Sequence, residues 1–286
     1  MPRIIRLRHF IVIFQQLSMN DQSKLAVGFY GRERRFFMKI TVGLFGFGRT
    51  GSTVAKEIIE DRECQLKWIV RKSAKNEGEF ASHLFGFEHD EGKIFSLIHT
   101  DLERLFQDDA VDVIIDFSSS GSVNEYESAV KCGTRIVSAI SNYEKNDLEH
   151  LKHLGAHTAV LYSPNITLGI NFLIEASKVL QKIAPNADIE IVEEHFRDKK
   201  NVSGTALRIA EDLNLDKASC VNSIRVGGIV GKHEVIFGLP NQTIRLIHES
   251  LNRTAFGHGA IYAAKWLMGK DEGMYSMEQA LSINLG

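Results

Sequence analysis

From residue 40 the chain alternates short, nearly continuous apolar runs with longer stretches whose apolar positions recur three and four apart: 40–45, then 49–60, then 66–70. The short runs predict strands buried on both faces and the longer stretches predict amphipathic helices. The alternation continues with a strand at 111–117, a helix at 122–131, a strand at 135–137, a helix at 144–154 and a strand at 158–162. Strand–helix–strand repetition of this kind predicts a Rossmann-like, doubly wound parallel sheet covered on both faces. After Leu168 the pattern changes to one long helix, a strand at 187–192, a helix at 205–213 and three strand-like runs, 221–226, 233–237 and 243–249, with Gly-rich turns. That order predicts an α+β domain with a mostly antiparallel sheet. Residues 257–285 read as helical again, with Ala260, Ala263, Ala264 and Leu267 on one packed face.

Composition narrows the class. The 286 residues are 44% hydrophobic and 24% charged, the range of a chain that folds around one large core or two modest ones. A net charge of −2 supplies no positive field for nucleic acid or an anionic membrane, so neither is expected as a partner. No apolar run approaches the roughly 18 to 20 residues needed to span a bilayer. The three cysteines, Cys64, Cys132 and Cys220, show no C-x-x-C spacing, so no disulfide framework or metal site is expected and a reducing cytoplasm fits best. Residues 1–37 differ, with seven basic residues against Asp21 and Glu33. Because Met38 opens M-K-I-T-V-G-L-F-G-F-G, which reads as a chain start followed by a core strand, 1–37 are expected to be an N-terminal extension outside the core.

The first strand runs into Gly46-Phe47-Gly48-Arg49-Thr50-Gly51, a G-x-G-x-x-G segment that opens a helix. A glycine-rich turn by itself is only a tight connection. Within a strand–turn–helix frame it predicts a dinucleotide site, since glycine lets the backbone approach a pyrophosphate and the helix N-terminus stabilises the anion. An acidic residue that would hold a ribose diol is expected at the end of the second strand, where the chain instead has Arg71 and Lys72. Two cations there attract a 2′-phosphate, so NADPH is expected to be preferred, with NADH as the alternative donor.

The segment from Ile189 to Leu207, I-E-I-V-E-E-H-F-R-D-K-K-N-V-S-G-T-A-L, reads as strand, polar loop and helix start. His195 titrates near neutral pH and suits proton delivery. Lys199 adds a compact positive charge, and Ser203, Gly204 and Thr205 stand where helix N–H groups and hydroxyls can hold a carboxylate. Singly, these are a loop histidine, a solvated lysine and an N-cap serine. Together they suit reduction of an acidic substrate.

This segment resembles the dihydrodipicolinate reductase family, NAD(P)H enzymes of diaminopimelate and lysine synthesis. The family pattern E-x-H-H-x-x-K-x-D-A-P-S-G-T-A is matched by Glu193, His195, Lys199, Ser203, Gly204, Thr205 and Ala206. Further similar stretches are D-V-I-I-D-F-S from Asp112 to Ser118, S-P-N-I-T-L-G-I-N from Ser163 to Asn171, and R-V-G-G-I-V-G-K-H from Arg225 to His233. His248, Arg253, Phe256, Gly259, Ala260 and Trp266 also fall at the family's spacing. The resemblance implies a dinucleotide-binding domain over 38–165 and 252–286, a substrate-binding domain over 166–251 that also forms a tetramer core, and hydride transfer to a cyclic dicarboxylate. It makes His195 the proton donor and Lys199 its partner, gives the substrate carboxylate to Ser203, Gly204 and Thr205, and places Phe117, Ser118, Arg253 and Phe256 with the glycine loop on the cofactor.

The departures bear on the reacting centre. The second histidine of the family pair is Phe196, D-A-P is replaced by the shorter Asn201-Val202, and G-T-T-G appears as Ser138-Ala139-Ile140-Ser141. The glycine loop is one residue shorter than the commonest family form. These changes leave open a reductase of another cyclic imine or keto acid, or an NADPH-binding protein without catalysis, beside the family reaction.

Overall fold

The chain divides into two compact units, Met1–Phe37 and Met38–Gly286. The computed structural model describes residues 39–281 and, in the first unit, the backbone of β1 (Ile4–Leu7) and β2 (Phe10–Ile13), which pair antiparallel. The expected extension at 1–37 otherwise lies outside the described residues, as do 282–285 of the expected C-terminal helix.

The second unit opens with β3 (Ile40–Phe45), α1 (Arg49–Glu60), β4 (Cys64–Arg71), α2 (Ala81–Leu84), β5 (Lys93–Ser96) and α3 (Leu102–Asp108). It continues with β6 (Val113–Asp116), a 3-10 turn at Ser120–Glu125, α4 (Glu127–Lys131), β7 (Arg135–Ser138), α5 (Lys145–Leu154) and β8 (Ala159–Tyr162). Then follow α6 (Leu168–Ile183), β9 (Asp188–His195), α7 (Gly204–Asp212), β10 (Val221–Arg225), β11 (Lys232–Leu239), β12 (Gln242–Glu249), α8 (Thr254–Leu267), β13 (Gly273–Tyr275) and α9 (Met277–Leu281).

Seven strands form a sheet in the order β13-β8-β7-β6-β3-β4-β5, every pairing parallel. Its two faces carry separate cores. Val42, Leu44 and Ile115 face α1, α8 and α9, whereas Phe45, Trp68 and Ile114 face Phe106, Tyr126 and Leu151 from α3, α5 and the segment before α4. This double burial is why the strands read as unbroken apolar runs, each buried large side chain contributing about 1.5 to 3 kcal/mol. The sheet order reverses between β3 and β6. Such a switch point is where open parallel sheets bind ligands.

The remaining strands form a mixed sheet, β10-β9-β11-β12, with β10 parallel to β9 and the other pairings antiparallel. Helices α6 and α7 cover one face through Ile170, Ile174, Ile209, Ile191, Val235 and Phe237. Along β9 the helix-facing row is Ile189, Ile191, Glu193 and His195, all buried.

Three expectations are corrected. Strand β9 runs on to His195 rather than ending at 192, because ladder pairing to β10 and β11 overrides the polar sequence there. The helix expected at 122–131 is a 3-10 turn followed by a short α-helix, interrupted at Tyr126, whose hydroxyl donates inward to Asp116. The helical reading of 257–285 misses β13, three residues long and held by pairing with β8. Helices α2 and α3 and strand β5 were not anticipated at all, being too short to show a period.

Candidate functional site

Phe45 ends β3 in the sheet interior and Arg49 opens α1, so the chain must reverse within Gly46-Phe47-Gly48. Gly46 takes φ +93°, and a Cβ on it would lie 2.8 Å from the Phe117 backbone, so the loops after β3 and β6 touch at this glycine. A Cβ on Gly51 would fall 2.1 Å from the Gly46 carbonyl oxygen, so the first turn of α1 presses on its own loop. Gly48 has nothing within 4 Å of its Cβ position, and no side chain caps α1. An open glycine before an uncapped N-terminus fits a phosphate group. Arg49 is exposed beside it.

Arg71 ends β4 next to this loop. Its Cζ lies 5.8 Å from the centroid of the Phe47 ring, its Nη1 donates to the Lys75 carbonyl at 3.1 Å, and its buried Nε has no partner among the described residues. Lys72 is exposed. Below the loops lies a cleft of about 540 Å³, lined among others by Thr50, Phe117, Ser118, Asn165 and Phe256. Ala139, Ile140 and Ser141, the departure from G-T-T-G, line it as well. The loop after β6 is anchored by Asp116, fully buried, which accepts from Ser118 N at 2.8 Å, Ser118 Oγ at 2.6 Å and Ser122 Oγ at 2.5 Å. Burial raises the Asp116 carboxyl, against the lowering effect of these donors. Arg253, exposed before α8, is not among the residues lining the cleft.

The second cluster is built on the helix-facing row of the mixed sheet. Glu193, fully buried, takes Arg225 in a fork, Nη1 to Oε2 at 2.9 Å and Nη2 to Oε1 at 2.6 Å. Its Oε1 also accepts from Ser223 Oγ at 2.6 Å and from the Ser203 N–H at 3.1 Å, and its Oε2 pairs with His195 Nδ1 at 2.5 Å. Burial pushes the Glu193 carboxyl up, but Arg225, Ser223, His195 and Ser203 outweigh it and hold the group at about 2. The His195 imidazole is lowered, by burial first and by the charges of Lys199 and Arg225, with Glu193 opposing. Lys199 is half-buried and its ammonium makes no hydrogen bond or ion pair among the described residues, while its carbonyl accepts from Arg225 Nε at 3.0 Å.

Ser203 sits at the N-cap of α7 but does not cap it. Its hydroxyl instead meets His233 Nε2 at 2.8 Å, leaving the N–H groups of Gly204 and Thr205 at an uncapped terminus. Asn165 links the two clusters. It lines the cleft, and its Nδ2 donates to Thr205 Oγ1 at 3.0 Å. The first turn of α7 and the cleft beside the glycine loop are therefore neighbours. Phe196, which replaces the second family histidine, and Val202, in the shortened stretch that replaces D-A-P, are both exposed.

Among the residues at these clusters, Asp116, Asn165, Glu193, Arg225 and His233 were given no role from sequence. Each lies inside a stretch quoted above for its resemblance, which was the available signal. What that signal lacks is the pairing. Arg225 lies opposite His195 and His233 opposite Glu193 only because β10 and β11 sit on either side of β9.

Comparison with known proteins gives a consistent picture. A family model described as "Dihydrodipicolinate reductase, N-terminus" matches residues 40–166, and its counterpart "Dihydrodipicolinate reductase, C-terminus" matches 166–281. A 4-hydroxy-tetrahydrodipicolinate reductase of Caldanaerobacter subterraneus subsp. tengcongensis is 33% identical over 232 residues, 73% of this chain and 91% of the relative. One from Aquifex aeolicus is 30% identical over 270 residues, 86% of this chain and 100% of the relative. The dipicolinate-bound dihydrodipicolinate reductase of Paenisporosarcina sp. TG-14 superposes with a TM-score of 0.69 at 20% identity, over 85% of this chain and 99% of that one. At that identity the last similarity speaks for the fold.

Proposed function

The chain belongs to the dihydrodipicolinate reductase family, and from that membership we propose that it reduces 4-hydroxy-tetrahydrodipicolinate to tetrahydrodipicolinate with NADPH, in diaminopimelate and lysine synthesis. The observation that carries this reading onto the chain's own residues is the Asn165–Thr205 hydrogen bond, which sets an uncapped helix N-terminus against the cleft beside the glycine loop.

Residues 38–165 and 252–286 are read as the dinucleotide-binding domain and 166–251 as the substrate-binding and tetramerisation domain. Gly46 to Gly51 would hold the pyrophosphate, with Phe117, Ser118, Arg253 and Phe256 toward the nicotinamide. Arg71 and Lys72 at the end of β4, with no carboxylate beside them in the sequence, support a preference for a 2′-phosphorylated dinucleotide. When bound, the reduced nicotinamide supplies a hydride.

The overall reaction consumes a hydride and a proton and releases water, so the protein must deliver a proton and steady an anionic ring. Glu193 occupies His195 Nδ1, which leaves Nε2 as the atom that gives the proton. Lys199, whose ammonium pairs with no carboxylate among the described residues, neutralises substrate charge, and Ser203, Gly204 and Thr205 receive a ring carboxylate. The outer face of the mixed sheet, where Ile224 is 44% and Ile247 56% exposed among the ion pairs Lys232–Glu194 and Arg245–Glu234, supports self-association into a tetramer. Three free cysteines support a reducing, cytoplasmic setting.

The test is a direct assay with freshly generated substrate and either cofactor. Turnover with NADPH is expected, reduced about a hundredfold or more by His195→Ala. The double variant Arg71→Ala/Lys72→Ala should raise the KM for NADPH far more than that for NADH. Cofactor binding without turnover would favour a different acidic substrate, a reading to which Phe196 and Val202 lend weight.

A further inference from the structure

His233 touches both halves of the proposed substrate site. It lies on β11 opposite Glu193 on one side and His248 on the other. Its ring stands edge-on to His195, 5.3 Å between centroids and 77° between planes, and its Nε2 is 2.8 Å from Ser203 Oγ. It is 5% exposed, and its Nδ1 is buried without a partner among the described residues.

Three protonation forms have to be weighed. The doubly protonated ring is excluded at working pH, since burial, with the nearby charges of His195, His248 and Lys199, pushes this imidazole down to about 3. The neutral form protonated on Nδ1 buries an N–H facing no acceptor, and orphaned buried donors are rarer than orphaned lone pairs. It would also take the Ser203 proton, because Nε2 could then only accept. The form protonated on Nε2 donates to Ser203 Oγ, and the serine keeps its own proton for another acceptor. A carboxylate only accepts.

We propose that His233 is a positioning residue for substrate binding: by donating its Nε2 hydrogen to Ser203 Oγ, it turns the serine hydroxyl into a donor aimed at a substrate carboxylate. This rests on Ser203 being a carboxylate anchor, as read above. His233 itself meets no substrate; it sets the direction of one hydrogen. With Glu193 pinning Nδ1 of His195 and the edge of His233 set against that ring, the proton donor and the carboxylate anchor share one rigid support.

A double-mutant cycle tests it, with dipicolinate, a dicarboxylate that cannot be reduced the same way, as the binding probe. Ser203→Ala and His233→Phe should each weaken dipicolinate and raise the substrate KM about ten- to hundredfold, with a smaller change in kcat and unchanged NADPH affinity. Adding His233→Phe to Ser203→Ala should cost little more. If Ser203→Ala leaves dipicolinate affinity unchanged, the anchor reading fails. If Ser203→Ala weakens binding but His233→Phe does not, or the two losses multiply, the anchor stands and the role of His233 is overturned. Nitrogen NMR on unmodified protein with dipicolinate bound is independent of how the variants fold: Nε2 protonated and Nδ1 bare is expected, and the reverse tautomer refutes the proposal.

Discussion

Glu193 commits both carboxylate oxygens to four neighbours, Arg225, Ser223, Ser203 and His195, and this sets the proton chemistry beside it. Its pKa of about 2 lies below the ordinary 4.5, so the unfolded chain takes up this proton first as pH falls. The stability it contributes is complete above pH 4.5 and is lost between 4.5 and 2. Glu193→Gln strands a half-buried guanidinium and should cost about 3 to 5 kcal/mol at pH 7, a gap that narrows toward pH 2, measured by urea unfolding across pH. His195 loses the carboxylate that favours its charged form. Its pKa should drop further, and the alkaline limb of the rate profile should move to lower pH. A limb that stays in place would show that His195 is not the proton donor.

Among the elements, the turn from β3 into α1 separates two kinds of glycine. Gly51→Ala drives a Cβ against the Gly46 carbonyl, so it should destabilise the fold by about 1 to 3 kcal/mol and weaken cofactor binding with it. Gly48→Ala meets no protein atom, so its melting temperature should stay near that of the parent while NADPH affinity falls at least tenfold, because the methyl enters the space left for phosphate. Calorimetry with titration of NADPH resolves the two. Equal NADPH affinity for Gly48→Ala and the parent would move the pyrophosphate elsewhere. Neither difference was legible in G-x-G-x-x-G, which gives both glycines the same letter. It takes the packing of the helix on its loop to tell them apart.

For the molecule as a whole, among the described residues the mixed sheet carries a core against α6 and α7 on one face. The other face alternates apolar and charged side chains, a pattern suited to a second copy of the same surface. Ile247→Glu introduces a charge at a position 56% exposed in the single chain and should leave the fold intact while shifting sedimentation toward smaller species. An unchanged mass would place the oligomer contact, if one forms, on another surface.

The alternation of the longer strands and helices, the glycine loop and the His195–Lys199 spacing were legible in the sequence, because burial on both faces, helical period and short motifs are local properties, whereas the short α2, α3, β5 and β13 were not. What stayed hidden was how distant segments meet. Arg225, His233 and Asn165 come from three segments, and although the sequence marks Ser203 and Thr205 as carboxylate anchors and Glu193 as a family match, nothing in it shows that these are their partners. Strand register and helix placement bring these groups within hydrogen-bond reach, and that reach decides which imidazole nitrogen is held and which hydroxyl is left to donate. Period and composition carry no record of it, since a part-buried ion pair 32 residues apart in sequence is set by the sheet that folds between its ends.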